Sequence, residues 1–405
     1  MAVVSVIQAR RPPRAPPRQR CHRQTCPRVR QLILAAPREF GAAAAGESGR
    51  QGRGVRAIVC RAFGPPEALR VEELELPEPG PGQVRVEIHA SGVNFTDLLA
   101  VEGRSQLKRS LPMVPGVEAA GIVRAVGSGV RERRVGERVL GCGARGTFAE
   151  AALFDEAELA VIPDSMDMRS AAAFYIASMT VRYALQDRAH LAPGELLLVL
   201  GAGGGAGLAG VQIGKALGAR VVAAASSAEK CALARRHGAD ATVCYAPGPL
   251  GLAAQKALTA EFLAHAPRPD EPVASLGKIS SVRDAAGFHV VLDGVGGSYA
   301  EPALRALGWE GRYVSIGFAA GMAHVALGPA LFKNADIHGI QPSSDEHRLP
   351  ARNGAALQTL FRWHREGRLA PLVTEVLPLE QAPQALKLMA ERRARGRIVL
   401  ETAHA

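Results

Sequence analysis

The run LLLVLGAGGGAGLAGVQIGKALGARVVAAASS, residues 196–227, constrains this chain more than any other stretch. Five apolar residues bounded by glycine predict a strand covered on both faces. A glycine turn follows, then an amphipathic helix closed by Gly218 and a second strand at 221–225. A pyrophosphate needs backbone N–H groups at close approach and the positive end of a helix, and only residues without a Cβ leave room for it. Gly201, Gly204 and Gly207 stand three apart with Gly205 among them, although strict GxGxxG fails because Ala206 occupies the third glycine's place. Loops often hold several glycines; a strand before and a helix after make this turn a dinucleotide cradle.

Charge selects the dinucleotide. NAD sites place a carboxylate on the ribose hydroxyls about 20 residues beyond the turn, and here no Asp or Glu occurs between Glu195 and Glu229. The second strand ends in Ser226 and Ser227, with Lys230 one turn later. Hydroxyls and an ammonium suit a 2′-phosphate that a carboxylate would repel, so NADPH is the expected cofactor. Ser226 and Glu229 also match an S-x-x-E capping box, and a solvated lysine would explain Lys230 equally well.

Around this segment the chain changes texture. Residues 55–60 and 84–88 read as strands, and glycines punctuate short Val/Ile-rich runs up to about residue 146, a bent β domain. An apolar helix is expected over 170–185, then strands at 242–245, 290–293 and 313–316 alternating with helices, a doubly wound parallel sheet. Residues 372–400 mix strand and helix without a glycine turn and are expected to rejoin the first domain. A helix can form over 251–266, and the proline-rich stretch near 267–282 reads as a surface excursion.

Six cysteines at 21, 26, 60, 142, 231 and 244 form no CxxC pair, so neither a disulfide framework nor a zinc ribbon is indicated. No window approaches the ~18 apolar residues that span a bilayer. The first 50 residues carry ten Arg and only Glu39 and Glu47, most of the chain's net charge of +11. Acid-poor and Arg-rich, residues 1–54 read as a mitochondrial or other organellar leader or a disordered extension, the prolines there opposing a helix. Without interleaved aromatics the arginines do not suggest nucleic acid.

GVNFTD at 92–97, PGVEAAG at 115–121, GERVLG at 136–141, the glycine turn and VVLDGVGG at 290–297 together resemble the zinc-free quinone oxidoreductase branch of the medium-chain dehydrogenase/reductase superfamily. The resemblance implies an α/β fold: a discontinuous GroES-like β domain from residues 55–176 and 335–405, with a Rossmann NADPH-binding domain, 177–334, inserted and the site in the cleft. It also implies a homodimer. Asn94 and Val117 stand where zinc-dependent relatives carry a cysteine and a histidine, and valine has no lone pair to give, so no metal is expected.

Without a Lewis acid a saturated alcohol is hard to oxidise, whereas a conjugated acceptor spreads the incoming charge over its π system. The expected function is therefore NADPH-dependent, zinc-independent reduction of a small electrophile, a quinone or an α,β-unsaturated carbonyl. The alternatives are an enoyl-thioester reductase and a non-catalytic NADPH-binding adaptor or RNA-binding protein. By resemblance Asn94 is the candidate hydrogen-bond donor and Thr180 lies beside the nicotinamide; Tyr245 sits near the adenosine phosphate, and Gly317, Phe318 and Asn334 line the nicotinamide side. Asp97 reads as a helix-opening residue, and Arg104 and Arg109 as a solvated loop. Leu99 and Ser105 stand where many relatives carry tyrosines.

Overall fold

A computed structural model describes residues 53–105, 109–143, 146–266, 287–341 and 350–403. The excursion near 267–282 lies outside them, as does the leader except for Arg53 and Gly54, which already belong to the first strand. The described strands are β1 (Arg53–Val59), β2 (Arg70–Leu76), β3 (Gln83–Val93), β4 (Glu118–Val126), β5 (Arg138–Cys142), β6 (Ala151–Asp155), β7 (Leu159–Val161), β8 (Leu196–Leu200), β9 (Arg220–Ala225), β10 (Ala241–Cys244), β11 (Phe288–Asp293), β12 (Leu307–Ser315), β13 (Asp336–Gly339), β14 (Val373–Pro378) and β15 (Arg397–Glu401).

The second half of the chain builds a six-stranded parallel sheet in the order β10-β9-β8-β11-β12-β13. All five residues of β8 are buried, as an unbroken apolar run at the centre of a covered sheet requires. From β8 the chain moves outward through β9 and β10, then returns to β11 on the other side of β8. The topological switch point of an open parallel sheet, where ligands bind, falls beside the glycine turn. One expected boundary moves: β13 pairs with β12, Asp336 opposite Arg312, so the parallel sheet continues past residue 334. The helix expected over 170–185 is also divided. Asp167 caps the short helix Met168–Ala172 by accepting from the Ser170 N–H at 2.8 Å, and Tyr175–Arg182 then runs into a π-helical turn, Tyr183–Arg188. Between the two, Phe174 is fully buried and stacks on Phe361 at 5.5 Å.

The first half forms the β1–β2 pair and a seven-stranded mixed sheet in the order β14-β15-β3-β4-β5-β7, with β6 also on β3. Register breaks between β3 and β4 bend this sheet. Its third strand in that order is β3, and its neighbour β15 comes from the far end of the chain: Ile398 pairs with Val93 and Glu401 with Ala90. The two sheets meet around the helix Tyr175–Arg182 and the start of β15.

Candidate active site

The glycine turn sits at the mouth of the switch point. Gly201 has φ +72°, a conformation open to few L residues, and its N–H-rich continuation leads into the helix Gly205–Ala216. A Cβ on Gly207 would lie 2.7 Å from Ala202 Cα and collide with the Gly201 carbonyl, so the helix can press onto the turn only as glycine. Gly203 and Gly205 serve a different purpose. A Cβ on Gly203 would meet the Lys230 stem at 2.6 Å, and one on Gly205 would collide with Arg397 Cδ. The turn is therefore lined by two cationic side chains, and the Gly396 N–H donates to the Gly203 carbonyl at 2.9 Å.

At the end of β9 the expected roles shift by one residue. Ser227, not Ser226, caps the helix Ala228–Arg236, accepting the Lys230 N–H at 3.2 Å. Ser226 stands half-buried where β9 ends, and Glu229, the expected partner of a Ser226 box, ion-pairs with Arg395 instead. Lys230 is half-buried and donates through Nζ to the Arg392 carbonyl at 2.9 Å. Burial, and then the Arg395 charge, lower its affinity for a proton. Tyr245 follows β10 but faces inward, its ring tilted against Tyr299 at 4.8 Å and its phenol pushed up by burial. It packs in the core beneath the strand ends rather than standing as an exposed contact.

The loop after β11 closes the other side. Asp293 is fully buried and accepts from the N–H groups of Val295 at 2.6 Å and Gly296 at 2.9 Å and from the Tyr313 hydroxyl. Gly296 and Gly297 both have positive φ, and a Cβ on Gly201 would meet Val295 at 2.9 Å, so this loop abuts the turn. Gly317 and Phe318 follow β12 at the same end of the sheet. The Phe318 ring meets Phe95 edge-on at 6.3 Å, joining the two lobes. Asn334 does not belong here. It caps the helix Gly328–Lys333 in the left-handed region, exposed, with its amide 3.4 Å from Glu310, and it precedes β13, which places it at the opposite end of the parallel strands.

Asn94 lies in a buried polar cluster. Its Oδ1 accepts from Arg397 at 2.9 Å, and its Nδ2 donates to Glu118 at 2.9 Å and toward the Gly92 carbonyl at 3.3 Å. Arg397 also ion-pairs with Glu118, whose second oxygen accepts the Ile176 N–H at 2.9 Å. Both hydrogens of the Asn94 amide are thus committed, which removes it as the donor to a substrate. Thr180 sits half-buried one turn beyond Ile176, on the helix that Glu118 anchors. Asp97 opens the helix Phe95–Val101 as expected, accepting the Asn94 N–H at 2.8 Å, yet it is 1% exposed, and burial pushes its carboxyl up to about 7. Arg104 pairs with Glu102 at the surface, but Arg109 is not a solvated loop residue: it is half-buried, and its charge acts on Asp97.

The sequence reading missed Glu118 and Arg397. Each leaves a signal, an acid in GVEAAG and an arginine opening RIVLE, since a charge within an otherwise buried strand needs a partner. The same cluster tests a metal. Val117 offers no donor, Asn94 offers an amide, and Glu118 is bound by Arg397, so a tetrahedral zinc shell is not provided. Among the described residues no three His, Cys, Asp or Glu side chains group to hold an ion. The crevice fits a dinucleotide better, because absent Cβ atoms and a helix N-terminus converge on it.

Family models match the chain twice: an alcohol dehydrogenase GroES-like domain at residues 80–164 and a zinc-binding dehydrogenase at 270–400. Quinone oxidoreductase-like protein 2 of Bos taurus is 34% identical over 86% of this chain and 93% of its own length. The quinone oxidoreductase of Pseudomonas syringae superposes with TM-score 0.70 at 30% identity, covering 86% of this chain and 99% of that one. A mycobacterial protein solved in complex with NADPH superposes with TM-score 0.74 at 26% identity, covering 86% and 99%.

Proposed function

This chain belongs to the medium-chain dehydrogenase/reductase superfamily as a quinone oxidoreductase-like protein, an oxidoreductase, and we propose that it uses NADPH to reduce quinones or α,β-unsaturated carbonyls without a catalytic metal. The observation that carries this reading is the end of β9, where Ser226, Ser227 and Lys230 replace the customary acid. NADPH supplies the hydride when bound. The chain's residues do the rest. The turn from Gly201 to Gly207 would offer backbone N–H groups to the pyrophosphate, and Lys230 with the Ser226 and Ser227 hydroxyls would hold the 2′-phosphate. Thr180 would stand beside the nicotinamide, and Phe95 and Phe318, which meet edge-on, would flank the acceptor. Asn94 positions the pocket floor through Arg397 and Glu118, and the proton for the reduced acceptor comes from water.

The mycobacterial relative's NADPH supports the coenzyme, and the Bos taurus relative's name supports a quinone-type acceptor. The donor set around Asn94 supports metal independence, and a conjugated acceptor is the chemistry that can proceed without a Lewis acid. A homodimer completes the proposal: β13 is the last strand of its sheet, and Met322, Leu327, Leu331, Phe332 and Ile337 are exposed around it, which a second copy would cover.

The test is titration with NADPH and NADH by fluorescence quenching, followed by a comparison of ortho-quinones with crotonyl-type thioesters as acceptors. NADPH should bind at least about tenfold more tightly, as one charge-assisted phosphate contact allows. Lys230→Glu should abolish or reverse that preference. Equal affinity of the parent for both coenzymes would remove the phosphate assignment, and faster thioester turnover would move the substrate class.

A further inference from the structure

Cys231 and Cys244 are separated in sequence but adjacent in space, and the coenzyme reading uses neither. Cys231 lies one turn into the helix Ala228–Arg236, with its N–H donating to the Ser227 carbonyl at 3.0 Å. Its sulfur enters the seam between β9 and β10, 3.4 Å from the Val243 carbonyl oxygen and 4.0 Å from that of Ala225. Cys244 is the next residue after Val243, ends β10, and pairs in register with Ala225. Burial, and then the neighbouring Cys244 thiol, raise the pKa of Cys231, and neither cysteine is in a disulfide. Their exposures differ: Cys231 is buried, while Cys244 opens to solvent on β10, the edge strand opposite β13. An accessible thiol beside a sheltered second one has the layout of an attacking and a resolving cysteine.

We propose that Cys231 and Cys244 form a reversible disulfide under hydroperoxide, and that this disulfide weakens coenzyme binding. The second half rests on the NADPH reading above. The Cys244 thiolate attacks a peroxide oxygen, the O–O bond breaks, and hydroxide leaves, to be protonated to water; Cys244 becomes a sulfenic acid. The Cys231 sulfur then attacks the Cys244 sulfur, forming the S–S bond as the S–O bond breaks and a second water leaves. Overall two thiols give up two protons and two electrons, and one hydrogen peroxide becomes two waters.

Closing the sulfurs to the about 2.05 Å of a disulfide draws Cys231 toward the strand end. Lys230 precedes it in the helix, Ser227 caps that helix, and Tyr245 follows Cys244. The movement therefore displaces the groups assigned to the 2′-phosphate. By linkage, bound NADPH disfavours the disulfide by the same factor that the disulfide disfavours NADPH.

The full chain, reduced and then treated with hydrogen peroxide, is mapped by differential alkylation and peptide mass analysis, and its NADPH dissociation constant is measured before and after. A 231–244 linkage is expected, with the constant raised about five-fold or more, the lower end of ordinary site coupling. Dithiothreitol should restore it. Cys244→Ser should bind NADPH like the reduced parent and lose all response to peroxide. Absence of the linkage, with the other cysteines oxidised first, overturns the modification site. A linkage with unchanged NADPH affinity overturns the coupling. Mapping needs no coenzyme, so a reduced protein that forms the linkage but binds no NADPH overturns the coenzyme reading and supports the modification site.

Discussion

Arg397 connects more of the site than any other side chain. Its stem packs where Gly205 has no Cβ, and its guanidinium holds Asn94 and Glu118. Both charges are almost completely buried, so removing one leaves the other unpaired in a poorly solvating interior. Glu118→Gln should cost about 3–5 kcal/mol in urea unfolding, while Glu118→Gln with Arg397→Met should recover part of that loss. A single-variant cost below about 1 kcal/mol would mean the pair is solvated. Asp97 makes a separate prediction. Burial raises its carboxyl to about 7, while the unfolded chain keeps the ordinary value near 3.9. Between those values the folded state keeps a proton that the unfolded state has lost, so its contribution to stability falls as pH rises through the window and is gone above it. Asp97→Asn stays neutral and should gain about 2–3 kcal/mol more over the parent at pH 8 than at pH 5 in urea unfolding. An equal effect at both pH values would contradict the raised carboxyl. Sequence reading could not reach the Asn94 partnership, because Arg397 is 303 positions away. Local spacing favours Ser226 through its S-x-x-E match, and Ser227 emerges as the cap only once the end of β9 is known.

The turn and helix from Gly201 to Ala216 were legible because their requirements are local: an apolar strand, a left-handed glycine, a helix pressed against backbone. Their glycines are not equivalent. Gly207→Ala drives a methyl into the Gly201 carbonyl and Ala202, and should cost about 1–3 kcal/mol or more of stability together with NADPH affinity. Gly204 meets nothing nearer than 3.6 Å and has φ −96°, so Gly204→Ala should change the melting temperature by no more than about 2–4 °C. Thermal melts of the two variants decide this, and equal losses would refute the close approach at Gly207. The strands β9 and β11 were legible for the same reason as β8, continuous apolar runs. Asn334 was misplaced because its position depends on which end of β13 it occupies, and β13, exposed along most of its length, carries little apolar signal.

At the scale of the whole molecule, the edge of the parallel sheet at β13 is uncovered among the described residues. Leu331 is 77% exposed and Phe332 70%, large values for side chains of their size on one short helix. Leu331→Asp with Phe332→Asp should convert a dimer to a monomer in light scattering and leave NADPH binding in place; a parent that is monomeric at micromolar concentration would remove the dimer proposal. The return of the chain to the first lobe was legible in texture, since residues 372–400 mix strand and helix without a glycine turn, but nothing local in RIVLE announces that its neighbour lies near residue 92. That lobe has a further consequence. Because β15 lies between β14 and β3 and also delivers Arg397, a ribosome emitting this chain finishes the nucleotide-binding half while the first half still lacks an interior strand. The pocket floor and the coenzyme mouth are completed together, by one strand that is synthesised after the whole parallel sheet.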